Sequence, residues 1–165
     1  MSTRRRIRLL LFIACVVLAA VAAGGATASP PTSANGTLTY QGATFNSVRQ
    51  AGGNIIIDLS ATVAYTGTLT GTSTLHGTLI FHTNGTANFH DVETFTGTVN
   101  GVPGTVTFNL DGSSDAAAVV SATDVIVSAS GELAGLHGVL SEAAVVYDPA
   151  IGPVGTYSGR IEFGG

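Results

Sequence analysis

From Ile55 to Leu69 the chain alternates with a period of two: Ile55, Ile57, Leu59, Ala61, Val63, Tyr65, Gly67 and Leu69 share one parity, and Asp58, Ser60, Thr62, Thr66 and Thr68 take most of the other. That is the repeat of a pleated strand with one face in a core and the other in water. Fifteen residues of it exceed a flat edge strand and suit the tilted wall of a barrel. Thr, Val, Ile and Gly dominate elsewhere, tryptophan is absent, and no helix longer than a turn or two is expected.

Eight strands are predicted, at Thr37 to Phe45, Ile55 to Leu69, Ser73 to His82, Thr86 to Val99, Val102 to Asp111, Ala117 to Ser128, Gly138 to Tyr147 and Gly155 to Phe163. Two loops fix register. Thr83-Asn84-Gly85, read as a three-residue loop with Gly85 left-handed, sets Leu79 opposite Phe89 and Leu75 opposite Glu93. A two-residue primed turn at Asn100-Gly101 sets Phe95 opposite Val106, Glu93 opposite Phe108 and Asp91 opposite Leu110. Both hairpins turn the same face of Thr86 to Val99 inward. Glycines two residues after an aromatic, Gly67, Gly97 and Gly159, mark places where strands bend to close a barrel. The expected fold is all-β: a closed eight-stranded antiparallel barrel, preferred to a sandwich, with one short helical turn near residues 131–137.

The amino terminus reads as an address. Arg4, Arg5, Arg6 and Arg8 precede an apolar stretch, Leu9 to Ala23, and Ala26-Thr27-Ala28 offers a cleavage site. Residues 1–28 are therefore expected to be a cleaved signal peptide, 29–35 a flexible start and 36–163 a single barrel domain, secreted by a bacterium. Fifteen apolar residues fall short of the roughly 20 that a spanning helix needs, which disfavours a retained anchor. Thr3 to Ile7 resembles a twin-arginine signal, but the ordinary secretory route is the default. Cys15 lies in a loose lipoprotein-like box and is expected to leave with the leader.

Cleavage leaves Arg49 and Arg160 against six Asp and four Glu, a formal charge of −8, and no lysine. Such a surface repels phosphate backbones and anionic lipids, which excludes nucleic acid as a partner. Without a mature cysteine there is no disulfide, thiol nucleophile or thiolate metal site.

The stretches Tyr65 to Ser73, Asn84 to Phe89, Glu93 to Gly97 and Ser130-Gly-Glu-Leu-Ala-Gly-Leu-His-Gly138 resemble a bacterial family of uncharacterised one-domain proteins with an allene oxide cyclase-like barrel. The resemblance runs from about Gly36 to Phe163, and Gly131 to Gly138 is its most specific piece. It implies the eight-stranded architecture shared with plant allene oxide cyclases and dirigent proteins, and no established activity.

Register places Asp91 and Glu93 on the face of Phe89 and Phe95. Carboxyls aimed into an apolar lumen have raised pKa values and suit acid–base chemistry or ligand orientation; the plainer reading puts them at a wet barrel mouth, or paired with Arg49 or Arg160. Glu93 also matches the family pattern and is the weak catalytic candidate of a cyclase or isomerase reading. The leading expectation is a small apolar or amphipathic ligand in the lumen, near Phe81, Phe89, Asp91, Glu93, Phe95 and Phe108, with Ala61, Gly67, Gly77 and Gly97 leaving room. A third reading is a cell-envelope interaction protein with Ile56 and Ile80 in an exposed patch.

His76, His82 and His90 invite a metal reading, but His76 and His82 are about 20 Å apart along a strand, and all three take the outward parity. No metal or cofactor is expected. A Glu132–His137 pair lacks catalytic spacing, and there is no Gly-x-Ser-x-Gly elbow or phosphate-cradling loop. Asn35-Gly36-Thr37 and Asn84-Gly85-Thr86 match a glycosylation pattern and are read as turn chemistry. No pattern sets an oligomeric state.

Overall fold

The computed structural model describes residues 30–148 and 152–164; the leader lies outside them. Eight strands follow in chain order: β1 (Thr32–Ala51), β2 (Asn54–Gly67), β3 (Leu69–Phe81), β4 (Ala87–Val99), β5 (Val102–Ser114), β6 (Val120–Gly131), β7 (Leu136–Asp148) and β8 (Gly152–Phe163). Each pairs antiparallel with its neighbours, and β1 pairs with β8 from Thr32↔Ile161 to Thr39↔Val154, closing the barrel. Among the described residues no helix is long and apolar enough to cross a membrane.

Both register arguments hold. Leu79 pairs with Phe89 and Leu75 with Glu93 across β3–β4, and β4–β5 matches Phe95 with Val106, Glu93 with Phe108 and Asp91 with Leu110. The loops have the backbone this requires: Gly85 at φ 84°, and Asn100 and Gly101 at φ 51° and 83°. Asn84 Oδ1 accepts from the Thr86 amide at 3.1 Å and its hydroxyl at 2.8 Å, the Asx chemistry expected of a turn.

Four local expectations are corrected. Pairing starts at Thr32, upstream of Gly36, because β8 offers ladder partners to Thr32 through Asn35. The strand expected to run to Leu69 breaks after Gly67, where the Thr68 amide reaches across to Asn35 O at 2.9 Å, and Leu69 opens β3 opposite Val99. Ala117 to Val119 form a loop because Asp115 Oδ1 accepts from the amides of Ala117 and Val119, both at 2.9 Å, and holds them out of the ladder. Residues 132–135 are a tight turn rather than a helical one, with Ala134 N bonded to Gly131 O and Leu136 N to Leu133 O.

The β6–β7 turn drives Leu133, fully buried, into one end of the barrel. There it joins Leu38, Val63, Tyr65, Leu69, Phe95, Val99, Val106, Leu136, Tyr157 and Ile161 in a packed plug. Tyr65 meets Phe95 edge-on with ring centroids 5.7 Å apart. The Tyr157 hydroxyl accepts from the buried Leu69 amide at 2.8 Å and donates to Thr66 O at 3.1 Å, which stitches β8 to the β2–β3 corner. Glycines face one another around this end, Gly36↔Gly67, Gly71↔Gly97 and Gly104↔Gly131, so the strands close in where the sequence placed its bends. The opposite end, at the β3–β4 and β5–β6 loops, is the mouth.

Candidate functional site

Four carboxyl side chains point into the lumen: Asp91 and Glu93 of β4, Asp124 of β6 and Glu142 of β7, at 5, 1, 2 and 3 % exposure. Successive ladder partners Gly77, Asp91, Leu110, Asp124 and Leu140 put the two aspartates in one row around the wall, with Leu110 between them. Glu93 lies two residues deeper, toward the plug. Among the described residues the basic side chains lie outside: Arg49, Arg160, His76, His90 and His137 are exposed on the outer wall. The expected alternative of an arginine partner for Asp91 or Glu93 is not what the barrel holds.

Burial without a counter-charge disfavours ionisation. Desolvation raises the Asp91 pKa to about 6, with a further upward push from Glu93. It raises Asp124 to about 8, with Glu93 and Asp91 adding to the effect. Glu142 is raised well above the ordinary carboxyl range by burial and by Asp124. Glu93 is raised by burial, against the opposing pull of Ser73 and Tyr65. Both hydroxyls donate to Glu93 Oε1, Tyr65 at 2.8 Å and Ser73 in a shorter contact. Asp91 Oδ1, Asp124 Oδ1 and Glu142 Oε2, all buried, have no hydrogen-bond partner among the described residues.

Above this layer a cavity of about 360 Å³ opens at the mouth. Its walls include Leu59, Leu75, Leu79, Phe81 and Phe89, and among the described residues its polar lining is Tyr40, Asp91 and Ser114. Phe81, 38 % exposed, stands at the rim. A larger open groove of about 800 Å³ crosses the outer wall over Ser60, Thr74, His76 and Thr94, but no buried carboxyl reaches it.

The six residues expected around a ligand therefore divide. Phe81, Phe89 and Asp91 line the cavity. Glu93, Phe95 and Phe108 are buried below it, Glu93 committed to Tyr65 and Ser73 and the two aromatics to the plug. Glu93 as the catalytic residue of a cyclase or isomerase thus loses contact with the space a substrate would occupy. The room expected over Gly77 is taken by the Asp91 carboxyl itself. Asp124, Glu142 and Tyr40 were missed, although the alternation of Ala122, Asp124 and Ile126 and of Leu140 and Glu142 carried the signal.

The histidines face outward as expected. His90 pairs with Asp111 at 2.7 Å and His76 approaches Asp58 at 3.9 Å. His82 contacts Asn54 at 3.3 Å and Asn88 at 3.1 Å. His137 bonds Glu162 at 3.0 Å, not Glu132, which is exposed on the turn. Among the described residues no cluster of three His, Cys, Asp or Glu is placed to hold a metal ion. Ile56 and Ile80, expected in an exposed patch, are half-buried partners across β2–β3.

No curated protein sequence matches the chain. A crystal structure of a protein with unknown function from Shewanella oneidensis MR-1, of the DUF3224 family, superposes with a TM-score of 0.63 at 18 % identity, covering 82 % of this chain and 98 % of that one. At that identity the likeness is one of fold. The family described as "Protein of unknown function (DUF3224)" matches residues 34–145, from the first core residue of β1 into β7. On that match the chain belongs to the DUF3224 family.

Proposed function

We propose that this protein is an exported binding barrel that takes a small amphipathic molecule into its mouth. The observation that carries the reading is the cavity of about 360 Å³, with aliphatic and aromatic walls and a buried carboxyl, Asp91, among its few polar groups. Sites for small molecules have this make-up: a mostly apolar concavity of roughly 300–1,000 Å³ with a few placed polar groups. The basic, then apolar, leader supports export.

Native mass spectrometry of the protein purified from its own host tests this, the expected result being an adduct of small-molecule mass. Because the chain has no tryptophan, a Phe81→Trp variant gives a single reporter at the rim. Its emission is expected to shift to the blue and saturate on titration with medium-chain alkanols. A spectrum without adduct together with an unresponsive reporter overturns the reading.

A further inference from the structure

We propose that the ligand is a monocation, a primary ammonium compound with a short apolar tail, whose head is received by Asp91. This rests on the binding reading above and names the chemistry of the same site.

The lumen holds four buried carboxyls, while the two mature arginines and the exposed histidines lie on the outer wall. The acidic residues alone are not the argument. Asp91 is buried and borders the cavity, and its Oδ1, seated against Gly77, has no hydrogen-bond partner among the described residues. A buried carboxylate without a counter-charge is costly to ionise, and an apolar ligand leaves that cost in place. An ammonium donates up to three N–H bonds and brings the charge that the lumen lacks. The other polar lining groups, the Tyr40 and Ser114 hydroxyls, can accept from the same head.

Geometry also limits the ligand's charge and size. Among the described lining residues Asp91 is the one carboxyl, whereas Glu93, Asp124 and Glu142 lie outside that lining. A head seated at Asp91 therefore meets one carboxylate among these residues, which suits a monocation. At about 30 Å³ per water in the liquid, 360 Å³ is the volume of roughly a dozen waters. Leu79, Phe89 and Phe81, on the rim side of Asp91, offer an apolar sleeve for a tail of about eight carbons.

The affinity should follow the charge of Asp91. The titratable groups around it are Glu93 on its own strand, Asp124 and Glu142 across the lumen and Tyr40 on β1, with His76, His90 and Asp111 on the outer wall. Asp91 ionises at about 6 and Asp124 at about 8. At neutral pH Asp91, which borders the cavity, therefore carries charge, while Asp124 in the same row keeps its proton.

Calorimetric titration of the mature protein with octylammonium, octan-1-ol and octanoate, probes that share a tail and differ in head, tests the proposal. At pH 7.5 octylammonium is expected to bind at least tenfold more tightly than octan-1-ol, with octanoate weakest. Lowering the pH to 5 should reduce octylammonium affinity at least fivefold and leave octan-1-ol within twofold. Asp91→Asn should remove the preference for the ammonium and keep octan-1-ol binding, and the wild-type pH series gives an independent reading should that variant fold poorly. Equal affinity for amine and alcohol, or tightest binding of octanoate, overturns the cation proposal and leaves the binding reading standing. No binding of any of the three overturns both.

Discussion

Gly77 stands directly across the β3–β4 ladder from Asp91, and the carboxyl of Asp91 lies where a side chain on Gly77 would begin. A Cβ built on Gly77 would overlap Asp91 Oδ1 well inside van der Waals contact. The glycine is thus the seat of the carboxyl. Gly77→Ala is expected to cost about 1–3 kcal/mol through overpacking. In an Asp91→Ala background the same change should cost at least 1 kcal/mol less, a coupling that a double-mutant cycle in urea would read out. Additive costs would show that the two residues do not share this space.

The carboxyl layer reverses the usual response to acid. Folding raises the Asp91 pKa from 3.8 to about 6 and the Asp124 pKa from 3.8 to about 8. Between pH 4 and 8 the folded chain therefore holds protons that the unfolded chain has released, so stability falls as pH rises through that window. The melting temperature is expected to be highest near pH 4 to 5 and to decline toward pH 8. An Asp124→Asn, Glu142→Gln double variant should flatten the profile, and a wild-type melting temperature that climbs from pH 5 to 8 would contradict it.

Glu93 acts as a structural acceptor in this barrel. Tyr65→Phe removes one of its two donors and should cost about 1 kcal/mol. Glu93→Ala leaves the Tyr65 and Ser73 hydroxyls without their acceptor and should cost roughly 3 kcal/mol or more. Glu93→Gln keeps an acceptor oxygen, so denaturant midpoints should rank it well above Glu93→Ala. Binding of a lumen ligand should change little in a folded Glu93→Gln protein, because Glu93 does not border the cavity.

Tyr157 is the polar pin of the plug. Tyr157→Phe keeps the ring and its packing but strands the buried Leu69 amide, at an expected cost of about 1–3 kcal/mol. Amide exchange at Leu69 should accelerate more than at Val63, whose environment is otherwise the same packed core.

The half of the site on β4 was legible in the sequence because Asn-Gly loops flank that strand on both sides and leave a single inward parity for Asp91 and Glu93. The half on β6 and β7 shows the same alternation but has no turn that fixes its inward face. β6 begins after a loop organised by the Asp115 carboxylate, and its pairing with β5 slips between Thr107 and Phe108. The slip leaves Val127 as the extra residue, so the inward parity of Ala122, Asp124 and Ile126 passes to Ala129. With residues 131–137 read as a helical turn, no register could be carried from β6 to Glu142. Tyr40 was hidden in the same way, by the slips in β1 between Tyr40 and Gly42 and between Phe45 and Ser47. Alternation identifies a strand; a bulge erases the memory of which face is which.

The pairing of β1 with β8 has a consequence for how the chain reaches this form. Each of the other seven pairings joins strands adjacent in sequence, so hairpins can form one after another at short range. The seam alone joins distant residues, Thr32 with Ile161 at a separation of 129. Until it zips, the growing sheet has two open edges and a carboxyl-bearing inner surface in contact with water. Its closure is the step that carries the largest loop entropy, and it is also the step that takes the four acids out of solvent. Closure and proton uptake should therefore be one kinetic event, with the ring sealing faster in weak acid than at alkaline pH.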